Sequence, residues 1–313
     1  MRARALVATL GPFIALLLAC VVFSTQSSRF LASENFALIL QQVMVVGVLA
    51  IGQTLVILTA GIDLSCGFVM ALGAMMMTKL AVVSGWPPAA AVLAGIALTT
   101  GVGALNGLLV TRAKLPPFIV TLGTMNIAFA ATQLVSKSQS IAGLPPLLTW
   151  LGNTLRIGGT NISYGVILML LMYLAAWLWL RETAAGRHVY AVGNQREAAR
   201  LAGIHTDRVL WGVYAAAGSL YGVAALLSVA RTGVGDPQAG QTENLDTVTA
   251  VVLGGTSLFG GRGVILGTLV GALIVGVFRN GLTLMGVSSI YQVLVTGVLV
   301  IVAVGMDQWS RES

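Results

Sequence analysis

Long apolar runs separated by short polar breaks dominate the sequence and leave almost no charge for a water-exposed surface. Only 9% of the 313 residues are charged, whereas a typical soluble domain has about 25%. Because about 20 apolar residues cross a bilayer once, such a chain folds in lipid, which excludes soluble, disordered and fibrous classes. The runs are 5–23, 36–59, 62–83, 87–110, 117–135, 162–180, 209–230, 245–258, 264–285 and 287–305.

Two of these runs differ from simple spans. The run 245–258 is too short to cross alone, and 62–83 opens with the polar stretch 61–65 (GIDLS). Both are interpreted as broken or re-entrant helices, which membranes tolerate only where the backbone lines a cavity or the protein interior. The expected fold is an all-α polytopic membrane protein, a single domain over 1–313 with about ten transmembrane helices, or with eight or nine.

The basic residues favour both termini on the cytoplasmic side, because cytoplasmic loops carry an excess of Lys and Arg. With that orientation 11 of the 17 basic residues lie inside, five lie outside, and Arg279 falls within a span. The net charge of +7 mostly reflects this asymmetry, so no nucleic-acid partner is expected. The inner residues are Arg2, Arg4, Arg112, Lys114, Arg181, Arg187, Arg196, Arg200, Arg208, Arg262 and Arg311.

The first apolar run has a second interpretation. Arg2 and Arg4 precede an apolar stretch ending in 17–20 (LLAC), which matches a signal peptide with a lipoprotein cleavage box. We expect residues 1–20 to be retained as a span. Cys20 and Cys66 show no spacing typical of a disulfide framework or a metal site.

Short stretches recur in the two halves of the chain, 5–135 and 162–305. The stretch 106–108 (NGL) recurs at 280–282, and Asp63 before ALG resembles Asp246 before VLG. With five spans per half, the second copy would lie upside down, and inverted repeats with discontinuous helices are a transporter architecture. Chance recurrence of Gly and Leu is the alternative.

The most polar inner segment, 181–208, is interpreted as a cytoplasmic loop with a short helix. Asn194 is placed to cap that helix, Glu197 to favour its N-terminal dipole, and Gly203 to end it. Its small apolar face suits docking into a groove on a partner protein. A solvated connector that carries positive charge explains the same residues.

Several motifs together resemble those of ABC importer permeases, in particular the ribose/monosaccharide branch. Each motif alone is weak, but their order and spacing over about 35–305 are specific. Cys66 departs from the small residue, such as Val, that related sequences usually have, and this is expected to alter packing only. The motifs are EAA and G within 197–203, 61–65 (GIDLS), 117–124 (PFIVTLGT), 252–263 (VLGGTSLFGGRG), 286–289 (GVSS) and 291–292 (YQ).

The resemblance implies a bacterial inner-membrane permease that pairs with a second copy or a paralogue. It also implies two cytoplasmic ATP-binding subunits and a periplasmic sugar-binding protein. No cofactor is expected in this chain, because 255–260 is followed by GRG where a P-loop needs GK[ST]; ATP and Mg²⁺ belong to the ATPase. The residues implied in coupling are Asn194, Arg196, Glu197, Ala198, Ala199, Arg200 and Gly203.

The polar groups inside the runs are mostly amides, hydroxyls and aromatics, which can replace water around sugar hydroxyls without a fixed countercharge. Such groups also bridge neighbouring helices, at about 0.6 kcal/mol per bond. Together with the resemblance they indicate a neutral pentose or hexose as cargo. The expected translocation-path residues are Gln53, Asp63, Ser65, Asn106, Phe118, Thr121, Thr124, Asn126, Asn280, Tyr291 and Gln292.

An ion-coupled secondary transporter is the main alternative, since such carriers place ionisable groups along the ion path. The candidates Asp63, Glu243, Asp246 and Arg279 lie near run ends. Asp63 can instead cap a helix starting at Leu64, and Arg279 can reach a neighbouring carboxylate. An ABC permease for a nucleoside, an amino acid or a sugar derivative is a further alternative, although a zwitterion needs paired charges.

Enzymatic activity is not expected. Ser288 lies in a GxSx fragment, but a serine nucleophile needs a base within hydrogen-bond reach. The two histidines, His188 and His205, fall in the inner loop, about a bilayer thickness from the expected position of Ser288. The short loops likewise disfavour a receptor or scaffold.

Overall fold

The computed structural model describes residues 2–312, with side chains described for 11–302, 304, 305 and 308. Arg2, Arg4 and Arg311, which enter the orientation argument, have side chains outside this described part. The helices are α1 (Arg2–Gln26), α2 (Ser33–Leu58), α3 (Cys66–Thr78), α4 (Pro88–Thr111), α5 (Pro117–Ser136), α6 (Pro146–Thr149), α7 (Tyr164–Glu182), α8 (Ala184–Asn194), α9 (Arg196–Leu201), α10 (Thr206–Thr232), α11 (Glu243–Leu253), α12 (Ile265–Leu284) and α13 (Ser289–Glu312).

Seven helices of the described chain are long and apolar enough to cross a membrane: α2, α3 with its π-helical extension Lys79–Val83, α4, α5, α7, α10 and α12. Shorter apolar stretches lie in α1 (Gly11–Gln26) and α13 (Ser289–Val302). The protein is therefore an all-α polytopic membrane protein, as expected. Proline at the first position of α4 and α5 sets their start points, because its fixed φ suits a helix and it lacks the N–H that would go unpaired there.

The centre of the bundle is α10, which packs against α4, α2 and α3. Its contact with α4 is made by glycines: a Cβ built at Gly103 would lie 2.9 Å from the Cα of Gly218, and one built at Gly218 would lie 3.1 Å from the Cα of Gly103. In lipid, helices associate through close packing and not through the hydrophobic effect, and small residues let the backbones approach. The α4–α10 pair is therefore tightly packed.

Two helices are preceded by non-helical chain, at the two places where the sequence predicts broken spans. Residues 59–65 precede α3, which starts at Cys66 and not at Leu64, and 233–242 precede the eleven-residue α11. The starts of these helices meet: Asn244 Oδ1 accepts hydrogen bonds from Gly67 N at 2.6 Å and from Cys66 Sγ at 3.2 Å. Cys66 thus takes part in this contact through its thiol, so the expectation that it alters packing only is too narrow.

A short antiparallel hairpin, β1 (Thr154–Ile157) and β2 (Thr160–Ser163), lies before α7 and corrects the expectation that the run 162–180 is helical from its first residue. Gly158 and Gly159, with φ of 56° and 88°, form its two-residue turn, which requires positive φ at both positions. We call this end of the bundle the hairpin end. The opposite end, which contains α8 and α9, is the loop end.

Candidate coupling and translocation sites

The polar segment at the loop end forms two short helices and not one. Gln195, with φ of −158°, is extended and separates α8 from α9, so Asn194 is the last residue of α8. The prediction that Asn194 caps the coupling helix is therefore wrong. The cap of α8 is Thr183, whose Oγ1 accepts a hydrogen bond from Gly186 N at 3.0 Å.

The helix α9 is held on one side and exposed on the other. Ala199 is buried against Val192 and Leu210, whereas Leu201 is 75% exposed. Arg200 Nε donates to Glu197 Oε2 at 3.0 Å, and these hydrogen bonds lower the pKa of the Glu197 carboxyl. An exposed pair of this kind adds little stability, and both of its side chains lie on the exposed face of α9.

The remaining predicted coupling residues surround this exposed surface. Ala198 is exposed, and Arg196 pairs with Asp207 at 2.8 Å. Gly203 follows the helix with a φ of 87°, a left-handed conformation that favours glycine, and nothing lies within 4 Å of a Cβ built there. The turn at Gly203 is therefore conformationally restricted and sterically open.

The end of α8 contacts both broken segments directly. Gly261 N donates to the Leu58 carbonyl at 2.9 Å, and a Cβ built at Gly193 would lie 2.7 Å from Gly261 N and still closer to the Leu58 oxygen. Tyr190 OH also donates to the Gly263 carbonyl at 3.0 Å. We call Gly193, Leu58 and Gly261 the glycine junction. It joins α8 to the chain that enters α3 and to the loop that follows α11.

A cavity of about 580 Å³ opens beside this junction at the loop end. It is lined by Ala60, Lys114, Asn194 and Tyr214, among others. The Tyr214 hydroxyl is buried and has no hydrogen-bond partner in the described part of the chain.

Four of the predicted path residues form one buried network with Tyr221. Asp63 Oδ1 accepts from Ser65 N at 2.8 Å and from Ser65 Oγ at 2.6 Å, and Tyr221 OH donates to Asp63 Oδ2 at 3.1 Å. Asn106 Nδ2 donates to Ser65 Oγ at 3.3 Å, and Thr124 Oγ1 donates to Asn106 Oδ1 at 2.6 Å. These bonds tie the segment before α3 to α4, α5 and α10.

Other predicted path residues also bridge elements. Thr121 Oγ1 donates to the Ile62 carbonyl at 3.1 Å, and Asn280 Nδ2 donates to Asn35 Oδ1 at 2.9 Å, which joins α12 to α2. Gln53 is fully buried, and neither of its side-chain polar atoms has a partner among the described residues.

The remaining predicted path residues lie apart from this network. Phe118 is 47% exposed and Tyr291 is 61% exposed. Asn126 is also exposed and donates to the Leu122 carbonyl of its own helix at 3.3 Å. The structure therefore does not bring these three side chains together with Asp63.

A second cavity, of about 230 Å³, lies towards the hairpin end and is lined by charged side chains. Arg279 Nη1 pairs with Asp246 Oδ2 at 2.8 Å, and Arg231, Glu243 and Gln42 line the same space. We call it the charged cavity. Its residues come from α2, α10, α11, α12 and α13, and among the predicted path residues only Gln292 lines it.

Three charges of this cavity, Glu243, Asp246 and Arg279, are grouped from the sequence as ionisable candidates near run ends. The expectation that Arg279 reaches a neighbouring carboxylate is confirmed by the pair with Asp246, whereas Arg231 was not among the candidates. The sequence does contain a signal for this cavity. Arg279 lies inside one apolar run and two acids lie at the start of another, and charges inside a membrane usually pair with one another.

Comparison with known proteins agrees with this architecture. A family model described as "Branched-chain amino acid transport system / permease component" matches residues 35–304. The fructose import permease protein FrcC of Rhizobium meliloti is 45% identical, over 96% of this chain and 85% of that protein. The ribose import permease protein RbsC of Bacillus subtilis is 40% identical, over 96% and 92%.

A third relative, the D-allose transport system permease protein AlsC of Escherichia coli, is 34% identical over 95% of this chain and 91% of that protein. All three relatives are named as permeases and none as an enzyme. The chain therefore belongs to the family of multi-pass inner-membrane permeases described by that model.

Proposed function

We propose that this chain is the membrane-spanning permease of an ATP-driven ABC importer that carries a neutral pentose or hexose. The observation that carries the proposal is the near full-length similarity to permeases named for fructose, ribose and allose. The exposed α9 surface, with the EAA residues and Gly203, supports a docking site for a separate ATPase subunit that binds ATP and Mg²⁺. A periplasmic binding protein would deliver the sugar, and a second copy or paralogue would complete the path.

We further propose ten crossings with both termini inside, in two inverted halves, 5–135 and 162–305. In support, the non-helical segment before α3 starts beside the loop end, whereas the one before α11 starts beside the hairpin end. Their helices start at the same contact, Asn244 with Gly67, and run in opposite directions. Counting each broken segment with its helix as one crossing gives ten, with the loop end in the cytoplasm.

The glycine junction suggests how ATP would drive transport. A movement of α9 would displace the end of α8, which touches the Leu58 carbonyl and Gly261 through backbone atoms. Each of these residues borders one broken helix. Access to the path would therefore alternate as both broken segments shift together.

The test is sugar uptake in membrane vesicles, with the chain alone and with its ATPase and binding protein. We expect uptake that requires both partners and ATP, and that persists in a proton uncoupler. An ion-coupled carrier that uses the ionisable groups Glu243, Asp246 and Arg279 is the second candidate. Uptake by the chain alone that collapses with the uncoupler would support that second function and reject the first.

A substitution at Gly203 tests the docking surface. We expect Gly203→Arg to insert normally but to lower ATP-dependent uptake by about tenfold or more, since a central interface residue often contributes 2 kcal/mol. Gly159→Arg is the matched control, because its φ of 88° is equally strained and its Cβ is equally open, but it lies at the hairpin end. Wild-type uptake by Gly203→Arg, or equal losses in both variants, would contradict the coupling role.

A further inference from the structure

The charged cavity contains polar atoms that the protein itself leaves unused. Arg231 Nε is buried without a hydrogen-bond partner in the described chain, and so is Gln42 Oε1. Both side chains line the same cavity. One is a donor and the other an acceptor, so the cavity presents both halves of a hydrogen-bonding site.

The other charges of the cavity are already held in place. Asp246 accepts from Arg279 Nη1 at 2.8 Å, and Arg279 Nη2 donates to Thr242 Oγ1 at 2.9 Å. Glu243 Oε2 accepts from Gly240 N at 3.0 Å, so its carboxylate is fixed beside the cavity. Within the described residues, Arg231 has no carboxylate at ion-pair distance. A buried polar group without a partner costs about 1–3 kcal/mol, so a bound hydroxyl that paired with Arg231 or Gln42 would remove this cost.

The chemistry of the lining matches a polyol better than an ion. Two guanidinium groups face two carboxylates, so the cavity has no net charge that would attract a single ion. A sugar hydroxyl both donates and accepts, and guanidinium, carboxylate and amide groups together satisfy both functions. Asp246 and Arg279 neutralise each other, and the sugars named for the relatives favour a polyol over a zwitterion beside Arg231 and Glu243.

The size of the cavity also suits one small molecule. Its volume of about 230 Å³ exceeds that of a single water several-fold, since a water occupies about 30 Å³ in the liquid. Gln42 lies about three turns from the start of α2 at the hairpin end. The cavity therefore lies within the membrane-spanning bundle, on the side from which we propose that cargo arrives.

We propose that the charged cavity binds the hydroxyl groups of the transported sugar on its way through the membrane, with Arg231 Nε as donor and Gln42 Oε1 as acceptor. This inference rests on the proposed function. The two residues that would contact the sugar, Arg231 and Gln42, are not among the path residues predicted from the sequence. Arg279 and Asp246 act as positioning residues, because they fix the wall of the cavity formed by α11 and α12.

The test measures uptake by the complete transporter, with ATPase and binding protein, for the transported sugar and for each monodeoxy analogue that the wild type carries. The variants are Arg231→Gln and Gln42→Leu. Their controls are Arg29→Gln, an exposed arginine between α1 and α2, and Gln41→Leu, the neighbouring amide outside the cavity lining. Receptor-stimulated ATP hydrolysis and thermal stability are measured for each protein.

We expect each cavity variant to lower uptake of the full sugar by about tenfold, with ATP hydrolysis retained and the controls unchanged. For the analogue that lacks the hydroxyl bound by the replaced side chain, uptake by the variant should be within about twofold of wild-type uptake of the same analogue, because that contact is already absent. An equal loss for every analogue would show a packing role and overturn the proposal, as would no loss at all. Gln42→Leu carries the test alone if Arg231→Gln fails to fold. Absence of sugar uptake by the complete wild-type system would instead reject the proposed function.

Discussion

Replacing Gly193 by alanine is expected to abolish sugar uptake and to lower the thermal stability of the permease. A Cβ at this position would overlap the Leu58 carbonyl oxygen and would lie 2.7 Å from Gly261 N. Both neighbours are backbone atoms, so relief requires a shift of the end of α2 or of the loop after α11. Overpacking of this kind costs about 1–3 kcal/mol.

The matched control is Gly212→Ala in α10, a helical glycine with nothing within 4 Å of its Cβ. Because alanine favours a helix over glycine by about 1 kcal/mol, this control should be unchanged or more stable. The measurements are the unfolding midpoint in detergent and ATP-dependent uptake in vesicles. Wild-type values for Gly193→Ala would show that the glycine junction is not a tight contact.

Replacing Asp246 by asparagine is expected to cause a comparable or larger loss of stability. The change leaves the Arg279 guanidinium without its carboxylate at 2.8 Å, and Asp246 itself is 3% exposed. Removing one partner of a fully buried pair costs about 3–5 kcal/mol, and the cost here is smaller because water reaches the Arg279 side chain, which is 38% exposed. The unfolding midpoint of Asp246→Asn should therefore fall well below that of the wild type.

The double variant Asp246→Asn with Arg279→Gln separates the charge effect from the loss of side-chain shape. Since it removes both charges, it should recover most of the lost stability even if transport stays impaired. Glu197→Gln, which breaks the exposed pair with Arg200, is the control and should leave the unfolding midpoint close to that of the wild type. A double variant as unstable as Asp246→Asn would contradict the pairing argument.

The spans could be predicted from the sequence because lipid requires long apolar runs, and the runs are visible. The run 209–230 became α10 (Thr206–Thr232), and both broken spans fell where the polar stretch at 61–65 and the short run at 245–258 predicted them. The hairpin β1–β2 was missed, since it is short and all but its last two residues lie outside the apolar runs whose pattern carries the signal.

The site was harder to predict because its residues meet only through tertiary packing. The sequence does not show whether the Asn106 amide bridges helices or contacts a sugar. Its hydrogen bonds to Ser65 and Thr124 are visible only in the folded structure. Arg231 and Gln42 are far apart in the chain, and nothing local indicates that both face one cavity. The break at Gln195 could not be predicted either, because Asn194 is a preferred N-cap by residue type whereas Gln195 is the actual N-cap of α9.

The short length of α11 has a consequence for how the protein is inserted into the membrane. With eleven residues it is far shorter than the roughly 20 needed to cross a bilayer, so it has little tendency to enter lipid when it leaves the ribosome. Beside its contact with the start of α3, it packs closely on α12: a Cβ at Gly271 would lie 2.8 Å from the Ala250 carbonyl carbon. Because α12 is translated later, we expect α11 to wait for it, and a chain cut between the two helices to be degraded during insertion.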